Sequence, residues 1–312
     1  MQWYNENKEL HDYKFNELLS YSAISRQAYH QAIQRRIYQK QKVALMIGLI
    51  LEVRQIHPGM GLKSIHELAQ PQEVGRDAFI KLGGEAGLIL VPLRSSPKTT
   101  IAHPSANYPN LLQGKQLNDV NQLWTSDITY FSIQGKWYYL TFLMDVYSRR
   151  IIGYTAADNL RAINNMKTLN MAIQLRGVNN YEKKLIHHSD RGSQYISDAY
   201  TELLQNQGIL ISMCQNVLEN AHIERVHRTI KNQYLKHRPI HNFSQLVKWL
   251  DKTVYTYNYE RPHSSILKMT PVEFENFVKE LPPKHLDRPV LNIFTYQHNS
   301  DKSDPNQLAF EF

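Results

Sequence analysis

The stretch LWTSDITYFSIQGKWYYLTFLMDVYSRRIIGYTA (123–156) reads as three strands in succession. β-Branched and aromatic residues fill its runs, and Gln134-Gly135 stands between the first two as a hairpin turn. Downstream the period changes. A helix is expected over about 161–175, with Ile163, Met166, Leu169 and Ile173 on one side. KLIHH (184–188) supplies a fourth strand, a helix follows near 197–207, ILIS (209–212) is a short fifth strand, and another helix starts at about Ala221. Three meandering strands followed by alternating helix and strand predict an α/β domain built on a five-stranded mixed sheet with flanking helices.

Three carboxylates occupy special places in this pattern. Asp127 sits in the first strand (WTSDITY, 124–130), Asp190 follows the fourth (HHSDRGSQY, 187–195), and Glu224 opens the last helix (ENAHIER, 219–225). Two strand aspartates and a helical glutamate can converge on a pair of divalent cations, the arrangement used for in-line phosphodiester displacement. Hard cations prefer carboxylate oxygens, so Mg²⁺ is expected, with Mn²⁺ as a substitute. Arg228 and Lys231 follow Glu224 by four and seven residues, on one helical side, as phosphate contacts; Ile223, Val226 and Ile230 mark the buried side. An intrahelical Glu–Arg pair on a solvated face is the competing reading. His187 and His188 are strand neighbours pointing to opposite faces, so His187 is expected in the core and His188 toward substrate.

Upstream, residues 15–36 read as two short helices around a turn, with Ser25 as N-cap and Ile24, Ala28 and Ala32 as an apolar stripe. Arg26, Gln27, Tyr29, His30 and Arg35 would face outward, the composition of a DNA-reading second helix in a helix-turn-helix. A separate helix is expected from about Val43 to His57, burying Val43, Ile47, Ile50, Leu51 and Ile56. A further helical pair follows, SIHELA capped by Ser64 and then GRDAFIKL, where Arg76 is a candidate phosphate contact. Pro92, Pro97, Pro104 and Pro109 argue for an extended linker, basic through Arg94, Lys98 and Lys115. The expected domains are therefore 1–36 and 37–91 (helical DNA-binding modules), 92–117 (linker), 118–238 (catalytic core), 239–279 (a helical segment) and 280–312 (an extended tail).

The chain has 312 residues and a net charge of +8, unevenly spread. Lys+Arg outnumber Asp+Glu 12 to 5 over residues 25–115 and 9 to 2 over 225–270, whereas 116–224 has 9 against 10. Basic flanks around a neutral core attract a polyanion and give salt-sensitive affinity. A single cysteine, Cys214, excludes an intramolecular disulfide and any multi-cysteine zinc site. No long apolar run suggests a membrane span, and the N-terminus lacks signal-peptide features. A cytoplasmic, nucleoid-associated prokaryotic protein is expected.

Together the segments SYSAISRQAYHQAIQRR, HPGMGLKSIHEL, WTSDITY, LMDVYSRRIIGY, HHSDRGSQY, ENAHIERVHRTIK and YNYERPHSSILKMTPVEF, in this order, resemble the second-frame catalytic subunit of insertion-sequence transposases of the IS-three family, relatives of retroviral integrases. The resemblance implies a ribonuclease-H-like catalytic core in which Asp127, Asp190 and Glu224 form the aspartate–aspartate–glutamate triad. It implies that Arg228 and Lys231 contact DNA near the transposon end, and that Asp145 lies outside the triad. Arg261 and His263 match a family motif and are further DNA-contact candidates. The expected activity is cleavage at transposon ends and joining of the freed 3′-hydroxyl to another phosphodiester. Expected partners are double-stranded DNA (terminal inverted repeats and target), a second copy or larger assembly on paired ends, and an upstream-frame helix-turn-helix protein.

The sequence departs from the family in one place. Only 33 residues separate Asp190 from Glu224, fewer than is typical, and the shortening falls in the loop CQNVLEN (214–220). Loop length is thermodynamically forgiving, so Glu224 keeps its assignment over the rival Glu219. Two other functions fit the same carboxylates: a ribonuclease-H-like nuclease that cuts without joining, and an inactive DNA-binding relic.

Overall fold

The computed structural model describes residues 9, 14–21, 24–91, 108–177, 184–214, 220–282, 288–293 and 310–311. Two compact units are present: Met1–Gln55 with Gly61–Leu90, and Ile56–Met60 with Val91–Phe312.

The smaller unit is helical: α1 (Phe15–Tyr21), most of α2 (Arg26–Ile56), α3 (Leu62–Ala69) and α4 (Arg76–Glu85). Ser25 caps α2 as expected, its Oγ accepting from Ala28 N–H at 3.1 Å. The expected break between residues 36 and 43 is absent, and α2 runs unbroken. Nothing in IYQKQK (37–42) interrupts a helix; no proline occurs in α2 at all. Its buried residues are Met46 and Ile50. Ala28, Ala32, Val43, Leu51 and Ile56, expected inside, are exposed. Gly61 rather than Ser64 precedes α3. A Cβ on Gly83 would lie 2.6 Å from Leu62 Cδ1, so this glycine lets α4 approach α3 closely.

The larger unit is built on β2 (Leu123–Ile133), β3 (Lys136–Asp145), β4 (Ile151–Ala157), β5 (Ile186–Ser189) and β6 (Leu210–Met213), in the order β4-β3-β2-β5-β6. The first three are antiparallel neighbours; β2, β5 and β6 are parallel. Gln134 and Gly135 both have positive φ, 49° and 84°, which matches the right-handed twist of the hairpin they join. Asp145 ends β3 by accepting from the N–H groups of Tyr147, Ser148 and Asn121, so it is a buried turn residue. A short β1 (Gln116–Leu117) lies upstream.

Side-chain alternation on β2 assigns the two faces. Trp124 packs with α5 (Ala162–Arg176) and α6 (Asp198–Asn206), alongside Leu169, Tyr200 and Leu204. Phe131 and Ile133, of opposite parity, pack with α7 (Ala221–Arg228) and α8 (Phe243–Tyr259) through Ile223, Val226, Leu250 and Val254. Asp127 shares the parity of Phe131 and therefore lies on the α7 face. The order and direction of these strands, with helices on both faces, are those of a ribonuclease-H-like fold.

Two expected boundaries do not divide the structure. Residues 239–279 share the core of 118–238: α8 buries Leu246, Leu250, Val254 and Tyr257 against the sheet. At its end the Asn258 carboxamide accepts from Ile151 N–H at 2.9 Å and donates to Ile151 O at 2.8 Å, so a side chain serves the edge of β4 as a strand would. Asn258→Ala is expected to leave both backbone groups unpaired and to lower stability by about 2–3 kcal/mol, measured by denaturant unfolding. The expected linker also contributes structure at its end. Leu112 and Leu117 are buried, and β1 pairs with β7 (Val290–Asn292), on which β8 (Phe310–Glu311) pairs in turn. Arg288 anchors this return, donating to Asn118 O, Val278 O and Leu281 O and pairing with Asp119 at 2.8 Å. The rest of the linker, including Arg94 and Lys98, lies outside the described residues. Among the described residues no helix is long and apolar enough to cross a membrane.

Candidate active site and nucleic-acid interface

Register brings the two aspartates together. Parallel β2 and β5 pair residue by residue from Leu123↔Ile186 to Ser126↔Ser189, so Asp127, partway along β2, and Asp190, just past the end of β5, are the next residues of the two strands. Asp127 Oδ1 accepts from Ile128 N–H at 2.8 Å, and Asp190 Oδ1 accepts from Gly192 N–H at 3.0 Å. A Cβ on Gly192 would lie 3.0 Å from that same oxygen, so the glycine lets the turn close over the carboxylate. Tyr195 ties the turn to β2 through Ser126 Oγ at 2.9 Å.

Glu224 comes from α7, whose buried side is the expected Ile223 and Val226, with Ile230 beyond. Asn220, just ahead of α7, fixes the helix start to β2. Its Oδ1 accepts from Thr125 Oγ1, and its Nδ2 reaches Ser126 O at 3.4 Å. After Arg228 the helix widens into a π-helical turn, Thr229–Tyr234, followed by a 3₁₀ turn, Leu235–His237. Such turns recur at functional sites. Within it Lys231 Nζ donates to Thr129 Oγ1 at 2.7 Å and Tyr130 O at 3.2 Å, so this cation is fixed on the strand that carries Asp127.

The electrostatics have the sign of a cation site. Burial, and then Asp190 and Glu224, push the Asp127 carboxyl well above the usual carboxylate range; the Ile128 N–H and Lys231 oppose this. Burial raises Asp190 too. Lys231 is held below its usual value by burial and by Lys236, with Asp127 pulling it back. Asp190 and Glu224 thus both repel the Asp127 carboxylate, and Lys231 partly neutralises it. The donor set fits a hard divalent ion. Among the described residues no three His, Cys, Asp or Glu side chains already stand close enough to cage a metal.

His227 is a site residue that the sequence reading passed over. It lies at i+3 from Glu224, on the same helical side, and its Nδ1 is 3.7 Å from Asp127 Oδ2. Burial and Lys231 depress its pKa to about 3, so the ring is neutral, and its Nε2 has no partner. His188 corrects an expectation. It is 1% exposed, its Nδ1 bonded to Ser212 Oγ at 2.9 Å and its Nε2 to Cys214 Sγ at 3.0 Å, so it cannot reach DNA. His187 is in the core, its Nε2 2.9 Å from Tyr200 OH.

The remaining candidates are scattered. Arg228, Arg26, Gln27, His30 and Arg35 are exposed, and Tyr29 is partly buried. Arg76 pairs with Asp77 at 2.9 Å in solvent. Arg261 lies over the Tyr234 ring, and His263 packs edge-on against Tyr257 with ring centroids 4.6 Å apart. Glu219, the rival to Glu224, lies outside the described residues.

Two family models, both described as an integrase core domain, match residues 118–217 and 211–271. The uncharacterized 31 kDa protein of insertion element IS600 from Shigella sonnei is 32% identical over 206 residues, which span 64% of this chain and 75% of that one. This chain belongs to the IS-three family of insertion-sequence transposases. The transposase of insertion sequence element IS904 from Lactococcus lactis is another relative, 28% identical over 177 residues, spanning 55% of this chain and 69% of its own. Among solved structures, the HTLV-2 integrase catalytic core domain in complex with magnesium is 21% identical with a TM-score of 0.41, covering 50% of this chain and 97% of that one. Membership of the IS-three family accounts for the integrase core and makes the chain a DNA transposase of the polynucleotidyl-transferase kind.

Proposed function

We propose that the chain cuts DNA at the terminal inverted repeats of its element and joins the freed 3′-hydroxyl to a second phosphodiester, with Asp127, Asp190 and Glu224 holding divalent cations, Mg²⁺ or Mn²⁺. The observation that carries the reading is that the β2–β5 register puts Asp127 and Asp190 next to each other, with Asp190 and Glu224 both raising the Asp127 carboxyl. Bound there, the metal supplies Lewis-acid activation of the attacking oxygen and stabilisation of the leaving one. Asn220 sets the start of the Glu224 helix, and Tyr195 sets the turn of Asp190. Lys231 holds one positive charge next to Asp127, where a strand phosphate would lie, and Arg228 offers a second at the surface. Arg26, Gln27, Tyr29, His30 and Arg35 form the outer side of a DNA-reading helix, helped by Arg76, Arg94, Lys98, Arg261 and His263. Two copies, or more, assemble on paired ends, and an upstream-frame protein contributes further end recognition.

The test is a strand-transfer assay on DNA carrying the terminal inverted repeats, with Mg²⁺ and with EDTA. Joined product that needs the metal is expected; cleavage without joining would assign the chain to the nucleases instead. Asn220→Ala is expected to slow single-turnover joining by roughly a hundredfold, because it frees the helix that aims Glu224. DNA binding in EDTA should not change.

A further inference from the structure

Along β2, β5 pairs only with Leu123–Ser126, so among the described residues no strand lies beside that edge of β2 beyond Asp127. A cleft of about 310 Å³ opens there, between the tip of the β2–β3 hairpin and the π and 3₁₀ turns that follow α7. Its floor is apolar, with Phe131 and Leu235 buried. One wall is aromatic. Trp137 is 53% exposed and meets Tyr130 edge-on, at 6.5 Å between ring centroids, which leaves much of the indole uncovered. The other wall is cationic: Lys231, Lys236 and Arg238 line the cleft, and among the described residues no carboxylate does. Two of these cations are held in place, Lys231 by Thr129 and Tyr130, and Arg238 by stacking over Trp249 at 4.7 Å.

An uncovered aromatic face, an apolar floor and a cationic wall are the parts that single-stranded nucleic acid requires: a stacking platform for a base and charge for its phosphate. The volume is at the small end of ligand sites, room for one nucleotide and not for a duplex. Lys231 belongs to both places, lining the cleft and interacting with Asp127, so the cleft adjoins the carboxylates. We propose that it receives one unpaired nucleotide of the DNA strand beside the scissile phosphate, its base against Trp137 and its phosphate between Lys236 and Arg238. The proposal rests on the reading of the triad as the cutting site. A base stacked on Trp137 has left the duplex, so the cleft selects ends that fray or carry an unpaired tail.

The experiment uses the full chain in EDTA, where no chemistry occurs, and a terminal-repeat duplex with 2-aminopurine in a one-nucleotide unpaired tail. Wild type is expected to quench the 2-aminopurine and to bind the tailed duplex more tightly than a blunt one. Trp137→Ala is expected to abolish the quenching and weaken binding of the tailed duplex roughly tenfold, leaving the blunt duplex within about twofold. Trp137→Phe, which keeps a ring, should restore much of both. Trp137 is largely in solvent, and Lys236→Glu, also exposed, provides a second variant with the same expected selectivity. Quenching that survives Trp137→Ala, or an equal loss on blunt and tailed DNA, would overturn the proposal. The triad reading fails separately: tail quenching that depends on Trp137 in a wild-type chain unable to join DNA leaves the cleft standing and removes the transposition chemistry.

Discussion

Replacing Asp190 by Asn is expected to abolish cleavage and joining, by about a thousandfold or more, while DNA affinity in EDTA changes by less than about threefold. The loss is large because the carboxamide cannot hold a hard cation, and metal stabilisation of the transition state is worth several kcal/mol, each 1.36 kcal/mol being tenfold in rate. Affinity is spared because it comes from basic side chains elsewhere on the chain. The same variant has a consequence for stability with the opposite sign. Asp190 is held above its usual pKa by burial, and it raises Asp127 in turn. A group with a raised carboxyl pKa destabilises the folded state once it ionises, so at neutral pH the metal-free wild type carries that cost. Asp190→Asn should therefore melt no lower than wild type in EDTA, and Mg²⁺ should raise the melting temperature of wild type alone. A variant that lost activity by unfolding would melt lower, so the two readouts separate a metal ligand from a merely structural aspartate.

The second large effect is expected at Glu275, in the helix Pro271–Glu280 (α9), far in sequence from the triad. Its carboxylate takes two contacts from Arg176, at 3.0 Å and a shorter one, with Arg150 at 2.6 Å and Ser148 Oγ at 2.7 Å. All these side chains are at most 15% exposed. They join α9 to α5 and to the β3–β4 turn. Burial alone would raise the Glu275 carboxyl, but Arg176 and Arg150 outweigh it and hold the group below its usual value. Glu275→Ala strands two buried guanidiniums and is expected to cost about 3–5 kcal/mol in denaturant unfolding. The pH dependence has a defined direction. A depressed carboxyl pKa contributes stability that is fully present above about pH 4.5 and is lost as pH falls through the folded value. Wild type should lose this increment on acidification, and Glu275→Gln should show a flatter acid limb between about pH 5 and 3.

The sheet was legible because β-branched and aromatic runs fill β2 and β3 on either side of Gln134-Gly135; Asp127, within the first of these runs, and Asp190, after a short apolar one, marked the candidate site. His188 was misread for a physical reason. Alternation implies a solvent face only where a sheet has one, and β5 is a parallel inner strand buried on both faces, so both histidines are internal. The expected break between residues 36 and 43 has no glycine or proline to cause it, so the helix continues. Contacts between distant segments left no local trace. Asn258 completing β4, Glu275 gathering two arginines and Arg288 bonding Asn118 beside β1 all join residues from 99 to 170 positions apart. His227 was within reach, since the i+3 spacing from Glu224 is visible once the helix is assigned. The π turn after Arg228, which aims Lys231 at β2, has no sequence signature.

The central claim is that Asp127, Asp190 and Glu224 together form the divalent-cation site. Mn²⁺ bound to the full chain on a terminal-repeat duplex, followed by electron paramagnetic resonance of the free ion, measures this without relying on turnover. Saturable binding by wild type, weakened more than about tenfold by Asp127→Asn and by Glu224→Gln alike, is the predicted result. Equal Mn²⁺ binding by wild type and both variants would contradict the account.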